Sequence, residues 1–171
     1  MRLVIPELSF VLLVGPSGSG KSTFARRHFK PTEILSSDVY RGLVSDDEND
    51  QTATEDAFDA LYAVARKRLA RGRLTVLDAT NVKPESRKSA VALAREYERL
   101  PIAIVFDLPE QVCCEHNAAR LDRDCGPYVV ETQRRQMLRG IDDLEKEGFL
   151  RVYRLTSVEE LEAATVVREP L

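Results

Sequence analysis

Residues 10–22 read Phe10-Val-Leu-Leu-Val14-Gly15-Pro-Ser-Gly-Ser-Gly20-Lys21-Ser22, and their order decides the architecture. Five apolar residues without alternation suit a strand covered on both faces. A glycine, four residues and Gly-Lys-Ser follow at once, the pattern of a loop that wraps a polyphosphate between a strand and a helix. Each part has a physical task. Gly15, Gly18 and Gly20 let the backbone turn tightly, so that successive N–H groups around Ser17 and Ser19 point into one concavity. Lys21 brings a point charge to the β- and γ-phosphates, and Ser22 offers a hydroxyl to Mg²⁺. The helix opening at Lys21-Ser22-Thr23 aims the positive end of its dipole at the same anion.

Outward from this stretch, strand candidates recur at Glu33–Ser36, Leu74–Asp78, Ile102–Asp107 and Leu150–Leu155, with the first strand spanning Leu8–Val14. Helical patterns lie between them. From Ala53 to Arg71, Phe58, Leu61, Tyr62, Ala65 and Leu69 recur at three- and four-residue steps. Thr52 with Glu55 has capping-box spacing, and Gly72 is placed to end that helix. Pro84 opens a helix whose buried stripe is Ala90, Leu93, Ala94 and Tyr97. Val130, Met137, Ile141 and Leu144 mark another, stopped by Gly148, and Ser157 with Glu160 opens a short last one. Strands alternating with helices predict an α/β fold, a P-loop NTPase-type parallel sheet of four to five strands flanked by helices. Its ligand then sits at the carboxyl ends of the strands. Four segments converge there: Gly15–Ser22, Ser36–Arg41, Asp78–Asn81 and Leu108 onward.

Composition narrows the class. The 171 residues suit a single domain, and the 43% apolar and 31% charged fractions are those of an ordinary globular protein. A net charge of −3 argues against an indiscriminate nucleic-acid binder while allowing a local basic groove. Arg66-Lys67-Arg68 with Arg71 and Arg73, and Arg134-Arg135 with Arg139, read as solvated helix faces. The acidic run Asp46-Asp47-Glu48-Asn49-Asp50 reads as a solvated loop ahead of the alternative, a metal-binding one. Cys113, Cys114 and Cys125 lack metal-ligand spacing and suit reduced thiols of a cytoplasm. No apolar run reaches bilayer length and the N-terminus lacks secretory features, so a cytoplasmic location without membrane partners is expected.

Chemistry concentrates after the strands. In Ser36-Ser37-Asp38-Val39-Tyr40-Arg41, a three-residue offset puts Asp38 and Arg41 on one face of a starting helix. A carboxylate there can accept the proton of an attacking hydroxyl, and an arginine can grip a substrate phosphate bidentately; the alternative is a helix cap beside a surface arginine. Asp78, ending a strand in Asp78-Ala-Thr-Asn81, either orders the water shell of a metal or serves as a hydrogen-bonded structural acid. Arg120 and Arg123, spaced along one helical edge within a segment at about 109–128, read as a lid that stabilises transferring phosphate and excludes water, or as an ordinary surface helix. His116 lies one turn before Arg120, and His28 reads as surface.

The whole chain resembles the kinase domain of bacterial polynucleotide kinase-phosphatase, and more distantly the phage-type 5′-polynucleotide kinases. The resemblance is carried by Gly-Pro-Ser-Gly-Ser-Gly-Lys-Ser-Thr-Phe-Ala from Gly15, and by the run from Ser36 to Gln51. Leu-Thr-Val-Leu-Asp-Ala-Thr-Asn-Val from Leu74 and Asn-Ala-Ala-Arg-Leu-Asp-Arg from Asn117 add to it. It implies an ATP- and Mg²⁺-dependent kinase acting on 5′-hydroxyl ends of RNA or DNA in end repair. Lys21 and Ser22 would bind ATP phosphates and Mg²⁺, Asp38 would be general base, and Arg41 would hold the phosphate next to the terminal nucleoside. Arg120 and Arg123 would engage the donor as lid arginines. Where the family carries another lid arginine this chain has His116, a departure that bears on donor affinity and its pH dependence. The resemblance also implies that residues 1–171 are one module of a multidomain repair enzyme, covalently linked to phosphatase and ligase-like modules. A gluconate- or nucleoside-type kinase is the alternative that shares the loop and lid.

Overall fold

A computed structural model describes residues 1–122 and 125–170. In chain order the elements are β1 (Arg2–Pro6), β2 (Ser9–Val14), α1 (Lys21–His28), β3 (Ile34–Ser36), α2 (Ser37–Ser45), α3 (Thr54–Ala70), β4 (Thr75–Asp78) and α4 (Pro84–Glu96). There follow β5 (Leu100–Phe106), α5 (Glu110–Ala118), α6 (Pro127–Gly140), α7 (Leu144–Glu147), β6 (Arg151–Leu155), α8 (Val158–Ala163) and β7 (Thr165–Glu169).

The five expected strands form one sheet, all parallel, in the order β3-β4-β2-β5-β6. β2 sits at its centre with every residue buried, which is why its sequence does not alternate. Its two faces feed two cores. Phe10, Leu12 and Val14 pack with Leu61, Ala65 and Leu69 of α3, Ala90 and Ala94 of α4, and Met137 of α6. Val11 and Leu13 pack with Phe24 and Ala25 of α1, and with Leu3 and Ile5 of β1. The result is the sandwich that the alternation of elements predicts, with loops after β2, β3, β4 and β5 sharing one end of the sheet.

Several local expectations meet corrections. β1 and β7, beyond the five expected strands, form a second, two-stranded parallel sheet, Arg2 pairing with Thr165 and Pro6 with Glu169. The capping box of Thr52 and Glu55 does not form. Asp50 accepts from Thr52 N at 3.0 Å instead, and a single 3-10 turn, Gln51–Ala53, leads into α3; the shorter, charged side chain two residues upstream takes the amide first. Gly72 does end α3, at φ 68° with its N–H on Leu69 O. Ser157 does cap α8, accepting from Glu160 N at 3.1 Å. The helix expected to run from Val130 to Gly148 breaks at Ile141–Asp143 into α6 and α7.

Candidate nucleotide and acceptor site

A cleft of about 1400 Å³ opens at the carboxyl ends of the strands and takes residues from all four converging segments. On one side lies the phosphate loop. Gly20, at φ 89°, is the left-handed residue from which α1 springs, and Phe24 N donates to its carbonyl. Lys21 is buried; its Nζ donates to Pro16 O at 2.8 Å and lies 3.5 Å from Ser19 Oγ. The loop is tied to the segment after β4, because Gly15 N donates to Thr80 O at 2.9 Å and Asn81 Nδ2 donates to Leu13 O at 2.7 Å. Arg87, buried in α4, in turn holds Asn81 O at 3.0 Å and pairs with Glu147 at 2.8 Å. Asp78 ends β4, is buried, and accepts from Ser22 Oγ at 2.7 Å.

On the other side lies α2. Ser36 caps it, accepting from Val39 N, so capping is not the task of Asp38. Asp38 and Arg41, one turn apart, form an ion pair. Arg41 Nε also donates to Glu48 O at 2.9 Å. Burial draws the Arg41 guanidinium below its usual pKa, with the Glu48 charge opposing that shift. The acidic run is therefore not merely solvated: Glu48 and Asn49 line the cleft, and Asn49 Nδ2 donates to Asp122 O at 2.8 Å, joining this loop to the turn beyond α5.

The segment expected to form the lid opens with α5, and α6 follows from Pro127. Arg120 N donates to Asn117 O in the turn beyond Ala118, so Arg120 stands off the helix end rather than along a helical edge. Its side chain holds Asp122, keeping that carboxyl below its ordinary pKa. Arg123 lies outside the described residues. His116 Nδ1 is 2.7 Å from Gly18 O; a carbonyl only accepts, so Nδ1 carries the hydrogen. Gly18 itself, at φ 79°, has no room for a side chain, since a Cβ would stand 2.2 Å from Cys113 O.

Lys21, Ser22, Asp38, Arg41, Asp78, His116 and Arg120 thus border one cleft, together with Ser17, Gly18, Gly20 and Thr23. Two contributors were not visible in the sequence: Gln133, whose Oε1 accepts from Ser17 N at 2.8 Å, and Asn117, whose Oδ1 accepts from Ser17 Oγ at 3.1 Å. The basic clusters are also only partly solvated. Arg68 donates to Leu74 O, and Arg134 donates to Leu108 O and Asp107.

No protein with a curated description matches the chain. Among solved structures, a chain of the Pnkp1/Rnl/Hen1 RNA repair complex superposes with a TM-score of 0.69 at 24% identity, over 81% of this chain and 47% of that one. This chain therefore spans about half the length of that relative. A gluconokinase from Sinorhizobium meliloti 1021 gives a TM-score of 0.56 at 17% identity, covering 92% of this chain and 87% of its own. Shikimate kinase from Acinetobacter baumannii, in complex with shikimate, gives 0.54 at 18% identity, covering 91% and 88%. At such identities the likeness is one of fold. Residues 10–144 match the model of a family described as an AAA domain, and the chain belongs to that family, with the parallel sheet and phosphate loop of a P-loop kinase fold.

Proposed function

We propose that this protein is a polynucleotide 5′-hydroxyl kinase that transfers the γ-phosphate of ATP to 5′-OH ends of RNA or DNA. The observation that carries this reading is that the Asp38–Arg41 pair and the phosphate loop line the same cleft. Phosphoryl transfer asks a protein chiefly for positioning and charge stabilisation. Lys21 and the loop amides hold the donor. Asp38 accepts the proton of the 5′-hydroxyl. Arg41, already gripped through Nε by Glu48 O, turns its remaining donors to the phosphate that follows the terminal nucleoside, which a small unphosphorylated metabolite lacks. Arg120, at the cleft, would engage the donor, and the sequence resemblance gives Arg123 the same role.

The residues present fit Mg²⁺. Ser22 Oγ and Asp78 supply hard oxygen donors beside the loop, one bonded to the other. Ser22 would hold the ion directly and Asp78 through water, and the ion would supply charge that offsets the negative charge developing in transfer. A role as one module among linked phosphatase and ligase-like modules accords with the chain's match to 47% of the RNA-repair relative.

Incubation with ATP labelled at the γ-phosphate and a panel of 5′-OH oligonucleotides, gluconate, shikimate and nucleosides tests the assignment. Label is expected on the oligonucleotides alone. Label on gluconate, shikimate or free nucleosides, with none on oligonucleotides, would replace it with the metabolite-kinase reading.

A further inference from the structure

Beyond its own backbone bonds, the phosphate loop is held from above. Gln133 of α6 accepts from Ser17 N–H at 2.8 Å, and Asn117 of α5 accepts from the Ser17 hydroxyl at 3.1 Å. His116 donates to the next carbonyl, that of Gly18, at 2.7 Å. The residue following Gln133 anchors the helix from which it projects: Arg134 donates to Leu108 O at 3.1 Å and to Asp107, which also accepts from Arg154 at 2.6 Å. Gln133 is therefore a fixed acceptor on a fixed helix, aimed at one amide of an otherwise glycine-rich loop.

Both acceptors are neutral amides where a carboxylate would accept equally well. The choice has a cost at Asn117. The residue is 4% exposed, and its Nδ2 is buried with no hydrogen-bond partner among the described residues. An aspartate would bond Ser17 Oγ and strand no donor, but it would set a negative charge against a cradle built for polyphosphate. A neutral amide here holds Ser17 Oγ without placing that charge against the cradle.

We propose that Gln133 and Asn117 are positioning residues of the donor site: they hold Ser17, and with it the crown of the phosphate loop, in its phosphate-receiving shape before the nucleotide arrives. Ordering that loop on binding would otherwise subtract from donor affinity. The inference rests on the reading of the loop as the nucleotide site.

The test uses the full chain and its Q133A, Q133E and N117D variants. Exchange of the Ser17 amide is read by NMR without nucleotide, and MgATP affinity by calorimetry. Acceptor and ATP KM are then compared. Q133A should speed Ser17 exchange at least tenfold, weaken MgATP about tenfold (the loss of one hydrogen bond) and leave the acceptor KM unchanged. Q133E and N117D should keep Ser17 protected and the fold intact yet bind MgATP more weakly, through charge alone. Wild-type exchange and affinity in Q133A, or wild-type affinity in both carboxylate variants, would overturn the inference. Failure of the wild-type chain to bind MgATP would instead overturn the nucleotide reading, and this inference with it.

Discussion

The Ser22 hydroxyl donates to the Asp78 carboxylate across 2.7 Å, joining the first residue pair of α1 to the last residue of β4. The bond is tertiary, made possible because β4 runs parallel beside β2 with Leu13 opposite Asp78. With its proton donated to the carboxylate, the hydroxyl oxygen keeps its acceptor capacity, and Ser22 lines the cleft. Replacing Asp78 by Asn keeps an acceptor for Ser22 and removes the charge. The Mg²⁺ concentration for half-maximal rate should then rise about tenfold, in line with the loss of an outer-shell ligand partner, while the melting temperature stays within a few degrees. A Mg²⁺ titration of the rate checks this, and an unchanged requirement would reduce Asp78 to a structural acid.

Arg41 meets Asp38 and Glu48 O through a planar fork. Lysine offers one point charge and cannot reproduce that geometry. Arg41→Lys should raise the acceptor KM at least tenfold and leave the ATP KM near wild type. The two constants, measured on a 5′-OH oligonucleotide, separate this from a general loss of folding, which would move both.

Arg87 is 1% exposed and shares its guanidinium between Glu147 and Asn81 O, packed against Gly140. Removing the carboxylate leaves a buried charge with one carbonyl partner. Glu147→Ala should destabilise the fold by about 3 kcal/mol, read as a lower urea midpoint. Because Asn81 also holds Leu13 O, MgATP binding should weaken as well. A stability change below about 1 kcal/mol would show the pair to be solvent-compensated.

His28, expected at the surface, is half-buried against Phe24, with ring centroids 4.4 Å apart and Nε2 buried without a hydrogen-bond partner among the described residues. Burial lowers its pKa, helped by Arg27. A depressed histidine favours the neutral form in the fold, so its stabilisation is present above pH 6.5 and is lost as pH falls through the lower folded value. Melting curves from pH 7.5 to 5 should fall less steeply for His28→Phe than for wild type. Parallel curves would mean that His28 protonates freely in the fold.

What was legible in the sequence is what local order encodes. The strand–loop–helix of residues 10–22, the i, i+3 placement of Asp38 and Arg41, and the glycines ending α3 and α7 need only neighbours along the chain. The pairing of β1 with β7 was not legible, because Arg2 meets Thr165 from the opposite end of the chain and each strand is five residues long. The same holds for Gln133 on Ser17 and Arg68 on Leu74 O, where a polar residue on a helix looks solvated until its tertiary neighbour is known. Only the expectation that Arg120 lies along a helical edge is overturned, for a local reason: α5 stops at Ala118, two residues before it.

In the proposed reaction, donor cradle and acceptor couple act on one 5′ terminus, with Asp38 taking its proton. The most direct measurement is to label a 5′-OH oligonucleotide with γ-labelled ATP, digest it to mononucleotides and locate the label, for wild type and for Asp38→Ala. Wild type should place all label on the 5′-terminal nucleotide, and Asp38→Ala should bind MgATP normally and transfer none. Equal transfer by both proteins, or label recovered only as free phosphate, would contradict the account.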